Sequence, residues 1–244
     1  KLPTTYLCGK NCPANPGAWL LHGMFHKKLR RQWKRNEDGG ARQQRDRETA
    51  EREARIAAQS GDEYLVLMAE GARHASKPDT RKAAKSYREA IALKPNKPET
   101  YHNLGAMLAN SGHKVEAAQR FLEAKERYPV GSMGWAKATA AALDMLRQKV
   151  CSEVAKPEWW NDEGLKALSA RVVRAAPNVE GTNRVRAMVL RGRCGAWEAG
   201  PRSAAELKEA AANYDRAAAL SDAPTWKVEL ASAADECRSR AEAM

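Results

Sequence analysis

The 244-residue chain is poor in aromatic side chains, at 6% with only two phenylalanines. It has no apolar run near the roughly 18 residues that a membrane-spanning helix requires. The missing run argues against a membrane-spanning helix, and no membrane insertion is expected. Cysteines are few and odd in number, at five, which excludes the disulfide-stapled class of small secreted domains and fits a reducing compartment. A cytoplasmic location is therefore expected. The first residue is Lys1 rather than Met, as in a fragment or processed chain, so the lack of a targeting segment carries no address. Strand-like alternation is missing from residue 62 to Met244, which excludes a sheet-based fold.

What is present is positive charge, 42 Lys and Arg against 30 Asp and Glu for a net +12. It is unevenly spread: residues 1–60 carry thirteen Lys and Arg against six Asp and Glu. The centre is HKKLRRQWKR, where Lys27, Lys28, Arg30, Arg31, Lys34 and Arg35 surround Trp33. A cluster of this kind can neutralise several phosphates, with salt-sensitive binding as the consequence, or it can simply be a solvated helix face. After Asn36-Glu37-Asp38-Gly39-Gly40 the chain is polar all round, with Glu48 and Arg52, and Glu51 and Arg55, at the i,i+4 spacing of an exposed helix. Residues 37–61 read as a charged helical linker.

Self-similarity is the strongest signal. The windows 64–97 and 98–131 align without a gap at a period of 34 residues, matching Gly71 to Gly105, Ala83 to Ala117, Tyr87 to Phe121, Ala90 to Ala124 and Pro95 to Pro129. These residues resemble the tetratricopeptide repeat (TPR), a helix-turn-helix unit with large residues at positions 4, 7, 11 and 24, small ones at 8, 20 and 27, and proline at 32. The second window supplies Tyr101, Leu104, Gly105, Leu108, Ala117, Phe121, Ala124 and Pro129 in those places. Small residues at positions 8 and 20 let the two helices of a unit approach closely, and the aromatic at 24 is expected to fill the gap to the next helix A. The first window has Glu70 and His74 where large apolar residues are usual, as suits a terminal repeat. A third unit begins at Trp135 and is stretched by QKVCSEVAKPEWWNDEG. Asp162 is expected to cap a helix running to Pro177, a fourth pair to span Thr182–Trp197 and Ser203–Leu220, and a last helix from Pro224 to Met244 to seal the stack. The expected fold of residues 62–244 is an all-α TPR-like solenoid of antiparallel helix pairs with a C-terminal capping helix.

The resemblance implies recognition, because helices A of such arrays line a groove that takes extended peptides or partner helices. Groove positions in the second unit fall on Glu99, His102, Asn103, Ala106, Ala109 and Asn110. Asn103 matters most, since its amide offers a donor and an acceptor to a peptide backbone. The carboxylate-clamp subfamily, which grips chaperone tails, needs Lys and Asn where this chain has Met68 and Ala72, so that reading is disfavoured. Lys137 stands at a clamp-like place in the third unit, while Leu65 and Met68 suit an apolar or mixed ligand. Trp159 and Trp160 can anchor a ligand, although filling the stretched third unit is the preferred reading. Cys151, Cys194 and Cys237 read as packed thiols.

At the amino end Cys8, Cys12, His22 and His26 are spaced C-x3-C-x9-H-x3-H, which can gather four ligands around one zinc ion. With Tyr6 and Trp19, the stretch 1–36 resembles the second half of a MYND-type zinc finger, with a longer central spacing and His replacing the last Cys. In that family these four ligands belong to two interleaved sites completed by upstream cysteines. Three readings stay open: a finger without its first half, a single compact site, or a relic that holds no metal. MYND fingers are interaction modules, and in one methyltransferase family they accompany a catalytic domain whose sequences are not seen here. No phosphate loop, nucleophile elbow, HExxH or nucleophile-base constellation occurs. The expectation is a non-catalytic adaptor that holds a partner protein in its groove. The alternative is a polyanion- or RNA-associated scaffold working through the basic amino end.

Overall fold

In the computed structural model, residues 44–77, 79–152, 154–192 and 199–244 are described. The chain divides into two units, 1–50 and 51–244. In the first, residues 44–50 are helical, and Gln44 donates to Glu48 at 3.0 Å across one turn. The second opens in helix α1, residues 51–60, and continues as α2 Glu63–Ser76, α3 Thr80–Leu93, α4 Pro98–Asn110, α5 Lys114–Arg127, α6 Met133–Leu146, a 3-10 turn Lys149–Cys151, α7 Asp162–Ala175, α8 Glu180–Arg191, α9 Ala204–Leu220 and α10 Pro224–Glu242. No strand occurs among the described residues. No helix there is long and apolar enough to cross a membrane.

Local chemistry sets where these helices begin. Asp62 caps α2 by accepting from the Tyr64 amide at 3.0 Å, and Asp79 caps α3 through the Lys82 amide at 3.2 Å. Each side chain satisfies an amide that the helix itself leaves free. Pro98 and Pro224 occupy first-turn positions in α4 and α10, where a missing N–H costs nothing. Ser203 and Glu206 form a reciprocal capping box at α9. At α7 the cap is Asn161, which accepts from Gly164 at 2.8 Å, and not Asp162. Asp162 is the first helical residue, and its carboxylate is taken by Arg202. Helix α8 stops at Arg191, short of the expected Trp197, because Gly192 turns the backbone to φ +71°. The last helix ends at Glu242.

Consecutive helices pack as antiparallel neighbours, and α6 also touches α8, so that α2, α4, α6 and α8 form one layer and α3, α5, α7 and α9 the other. The fold is a TPR-like α-solenoid of helix pairs, closed by α10 packing on α9. A Cβ placed on Gly71 would lie 2.5 Å from the Tyr87 ring, and one on Gly105 would lie 2.9 Å from the Phe121 ring. The aromatic at position 24 therefore sits on the glycine of its own pair, rather than filling only the gap to the next helix A. Ala83 and Ala117 beside these contacts are fully buried.

Three of the four apolar clusters among the described residues follow one another along the array. The first is built on Tyr87, Leu104, Leu108, Phe121, Leu146 and Cys151. The second holds Trp135, Leu143, Leu165, Val172, Val185 and Val189. The third joins Leu190, Ala210, Tyr214, Leu230 and Cys237, which fixes α10 against α8 and α9. Trp159 and Trp160 pack against both of the first two clusters, filling the stretched third unit. Cys151 and Cys237 are buried free thiols, and burial pushes both up from the usual thiol range. Cys194 lies outside the described residues.

Candidate functional site: the helix A groove

The face made by α2, α4, α6 and α8 begins at a pocket of about 360 Å³, lined by Leu65, Met68 and Ala72 from α2, Asn103 from α4, and Ile56 and Ala57 from α1. Four of the expected groove residues are thus gathered in one place. Leu65 is exposed at 43%, while Met68 is held below it, its sulfur 3.3 Å from the Thr100 hydroxyl. Thr100 is fully buried and pairs with the Tyr64 hydroxyl at 2.9 Å. These two contacts lock α2 against α4 directly under the pocket. Asn103 lines the pocket, and its amide makes no hydrogen bond among the described residues.

The other expected groove residues divide. Glu99, Asn110 and Lys137 are exposed and line no part of this pocket. Ala106 packs partly against the first core cluster. His102 turns inward, its ring 5.3 Å from that of Phe121, with Nδ1 buried and unpartnered. Burial, and secondly the nearby Lys137 ammonium, push the imidazole below its usual value. His102 is a packing residue beside the groove floor. Ile56 and Ala57 were missed because they sit in a run that reads as solvated linker; the only signal was one isoleucine in a polar stretch.

Further along the same face the apolar floor gives way to charge. Arg184 clasps Asp144 through two bonds of 2.9 and 3.2 Å. Arg147 reaches the same carboxylate at 2.7 Å, and Glu180 accepts from Arg184 at 3.0 Å and from the Trp226 indole at 3.2 Å. Burial opposes the Asp144 charge, but the two guanidinium groups outweigh it and hold the carboxyl below its usual range. A second network lies between α7 and α9. Arg202, with its side chain 4% exposed, binds Asp162 at 2.5 and 2.9 Å and the Val189 carbonyl at 3.1 Å. Lys166 bridges Asp162 and Glu206 at 3.2 and 2.7 Å. No periodic pattern announced either network.

Cys8, Cys12, His22 and His26, and the basic residues Lys27, Lys28, Arg30, Arg31, Lys34 and Arg35, lie outside the described residues. Among the described residues no group of three or more metal-capable side chains converges.

Comparison with known proteins agrees with this architecture. A family model described as TPR repeat matches residues 76–112, spanning α3 and α4. Among solved structures, the one titled "Functional Characterization of Pseudomonas Aeruginosa pilF" superposes with a TM-score of 0.51 at 14% identity, covering 82% of this chain and 90% of that one. At that identity the likeness concerns the fold. No curated protein matches the sequence.

Proposed function

We propose that the chain is a protein-interaction scaffold that holds an extended segment or helix of a partner protein on the helix A face. The observation that carries this reading is the pocket under Asn103. It combines an apolar floor from Leu65, Met68 and Ala72 with one amide that has no hydrogen bond among the described residues. An extended peptide needs both, a hydrophobic seat for one side chain and a donor-acceptor pair for its own backbone. The missing Lys and Asn at the positions of Met68 and Ala72 point to an apolar or mixed segment and away from an acidic chaperone tail. TPR-like arrays are typically scaffolds without chemistry of their own, and adaptor work asks for nothing more than this surface.

The test is capture of partners by the full chain and by a variant carrying M68E and N103A, with K85A on exposed α3 as a control. Partners that depend on the groove are lost from the double variant and kept by the control. Retention of every partner by the double variant would overturn the reading.

A further inference from the structure

Trp159 serves the core on one side, but it also faces a cleft of about 310 Å³ bounded by the end of α5, the start of α6 and α7. None of the lining residues is one of the groove positions discussed above. The walls are two indoles and the rim carries two cations. The Lys125 ammonium stands 5.5 Å from the Trp159 ring centre, and the Arg171 guanidinium stands 5.3 Å from that of Trp135. Val130, exposed at 67%, and Leu168 add apolar surface.

One of the two cations at this rim, Arg171, is left without a carboxylate among the described residues. The Lys125 side chain is only 12% exposed, and the carboxylate it meets is that of its neighbour Glu126, 2.8 Å away and itself 69% exposed. A cation drawn out of water against an indole gains from an anion that enters beside it, because the attraction is less screened there than in bulk solvent. The cleft lies at the small end of the roughly 300–1,000 Å³ typical of ligand sites, so it suits one large side chain rather than a cofactor. Stacking of nucleic-acid bases requires an open aromatic face, whereas Trp135 is 3% exposed and each indole already carries a cation.

We infer that this cleft is a second docking site, separate from the helix A groove, for a partner peptide presenting a carboxylate next to a large apolar side chain. The apolar side chain packs on Trp159 and Val130, and the carboxylate meets Arg171 beside the Lys125–Glu126 pair.

The experiment follows the indole N–H resonances of the full chain by NMR, with W159F used to assign that signal. The probe is N-acetyl-Leu-Glu, compared with its neutral diamide and with AMP. Expected are saturable shifts of the Trp135 and Trp159 signals with the dipeptide acid. Binding is about fivefold weaker for the diamide and for R171Q, and unchanged in N103A. Because Arg171 is exposed, R171Q leaves the fold intact. Equal binding of acid and diamide, indifference to R171Q, or a response to AMP alone would each overturn the proposal.

Discussion

The pairs α2–α3 and α4–α5 repeat one glycine–aromatic fit, whereas α6 to α10 add nearly enclosed ion pairs to their apolar clusters. In the first region a glycine lies under an aromatic ring in each pair, and its ion pairs, such as Arg88 with Glu116, are largely exposed. In the second region Arg184 and Arg202 are nearly enclosed, with side chains 14% and 4% exposed, and each reaches a carboxylate 40 residues away in sequence. Fit at a fixed spacing repeats, so it propagates as a period of 34. A buried guanidinium tolerates any spacing that brings its carboxylate within reach, and so it lets the third and fourth units depart from that period. The cost is specificity of partner: a buried ion pair is stable only while both members are present.

The largest expected effect therefore comes from removing one member. Arg202→Ala strips Asp162 of two bonds and the Val189 carbonyl of one of its donors, leaving it the Gly192 amide at 3.2 Å. It is expected to lower unfolding free energy by about 3 kcal/mol, read from the midpoint of a urea transition. Loss below about 1 kcal/mol would mean that Lys166 alone suffices for Asp162. The same network sets a pH dependence. Arg202, and then Lys166, hold the Asp162 carboxyl down at about 2 from an unfolded value of 3.8. A folded pKa below the unfolded one contributes stability that is present above 3.8 and lost as pH falls towards about 2. Asp144 acts in the same direction. Amide exchange in acid should then open α7 and α9 before α4 and α5, and R202A should remove most of that difference.

Next in size is the contact that defines the regular region. Gly105→Val drives a branched side chain into the Phe121 ring and is expected to cost about 2 kcal/mol. Thermal unfolding measures it. The replacement Phe121→Leu in the same chain should recover part of the loss, since a smaller side chain there makes room for the new methyl groups. Failure to recover would place the damage elsewhere than at this ring.

The helix pairs could be read from sequence because Gly71 and Gly105, Ala83 and Ala117, and Tyr87 and Phe121 each occur twice at one spacing, and residue size at a fixed spacing is what periodicity records. The same reading placed Leu65, Met68, Ala72 and Asn103 on one face, and they do share a pocket. His102 went astray for a physical reason: a position facing the groove also borders the ring at position 24, and an imidazole gains more by lying against Phe121 than by projecting outward. Asp162 misled because an acidic residue before a helix is the usual cap, while Asn161 supplied that bond and freed Asp162 for Arg202. The charge networks carried no sequence signal, because nothing in a single arginine says which helix it will meet.

The smallest effects sharpen the comparison from its control side. Ser203→Ala removes half of the capping box at α9, where the Glu206 amide donates to the Ser203 hydroxyl at 3.2 Å, and is expected to cost about 1 kcal/mol. Gly181→Ala is the opposite case. A Cβ there meets nothing within 4 Å, so the added methyl group only narrows the unfolded ensemble and favours helix α8. A gain of about 0.5 kcal/mol is expected, seen as a small rise in the thermal midpoint. Set beside Gly105→Val, it separates two uses of glycine in one array. If Gly181→Ala destabilised instead, an open-sided helical glycine would behave like the crowded Gly105, and crowding by the Phe121 ring could no longer explain the cost of Gly105→Val.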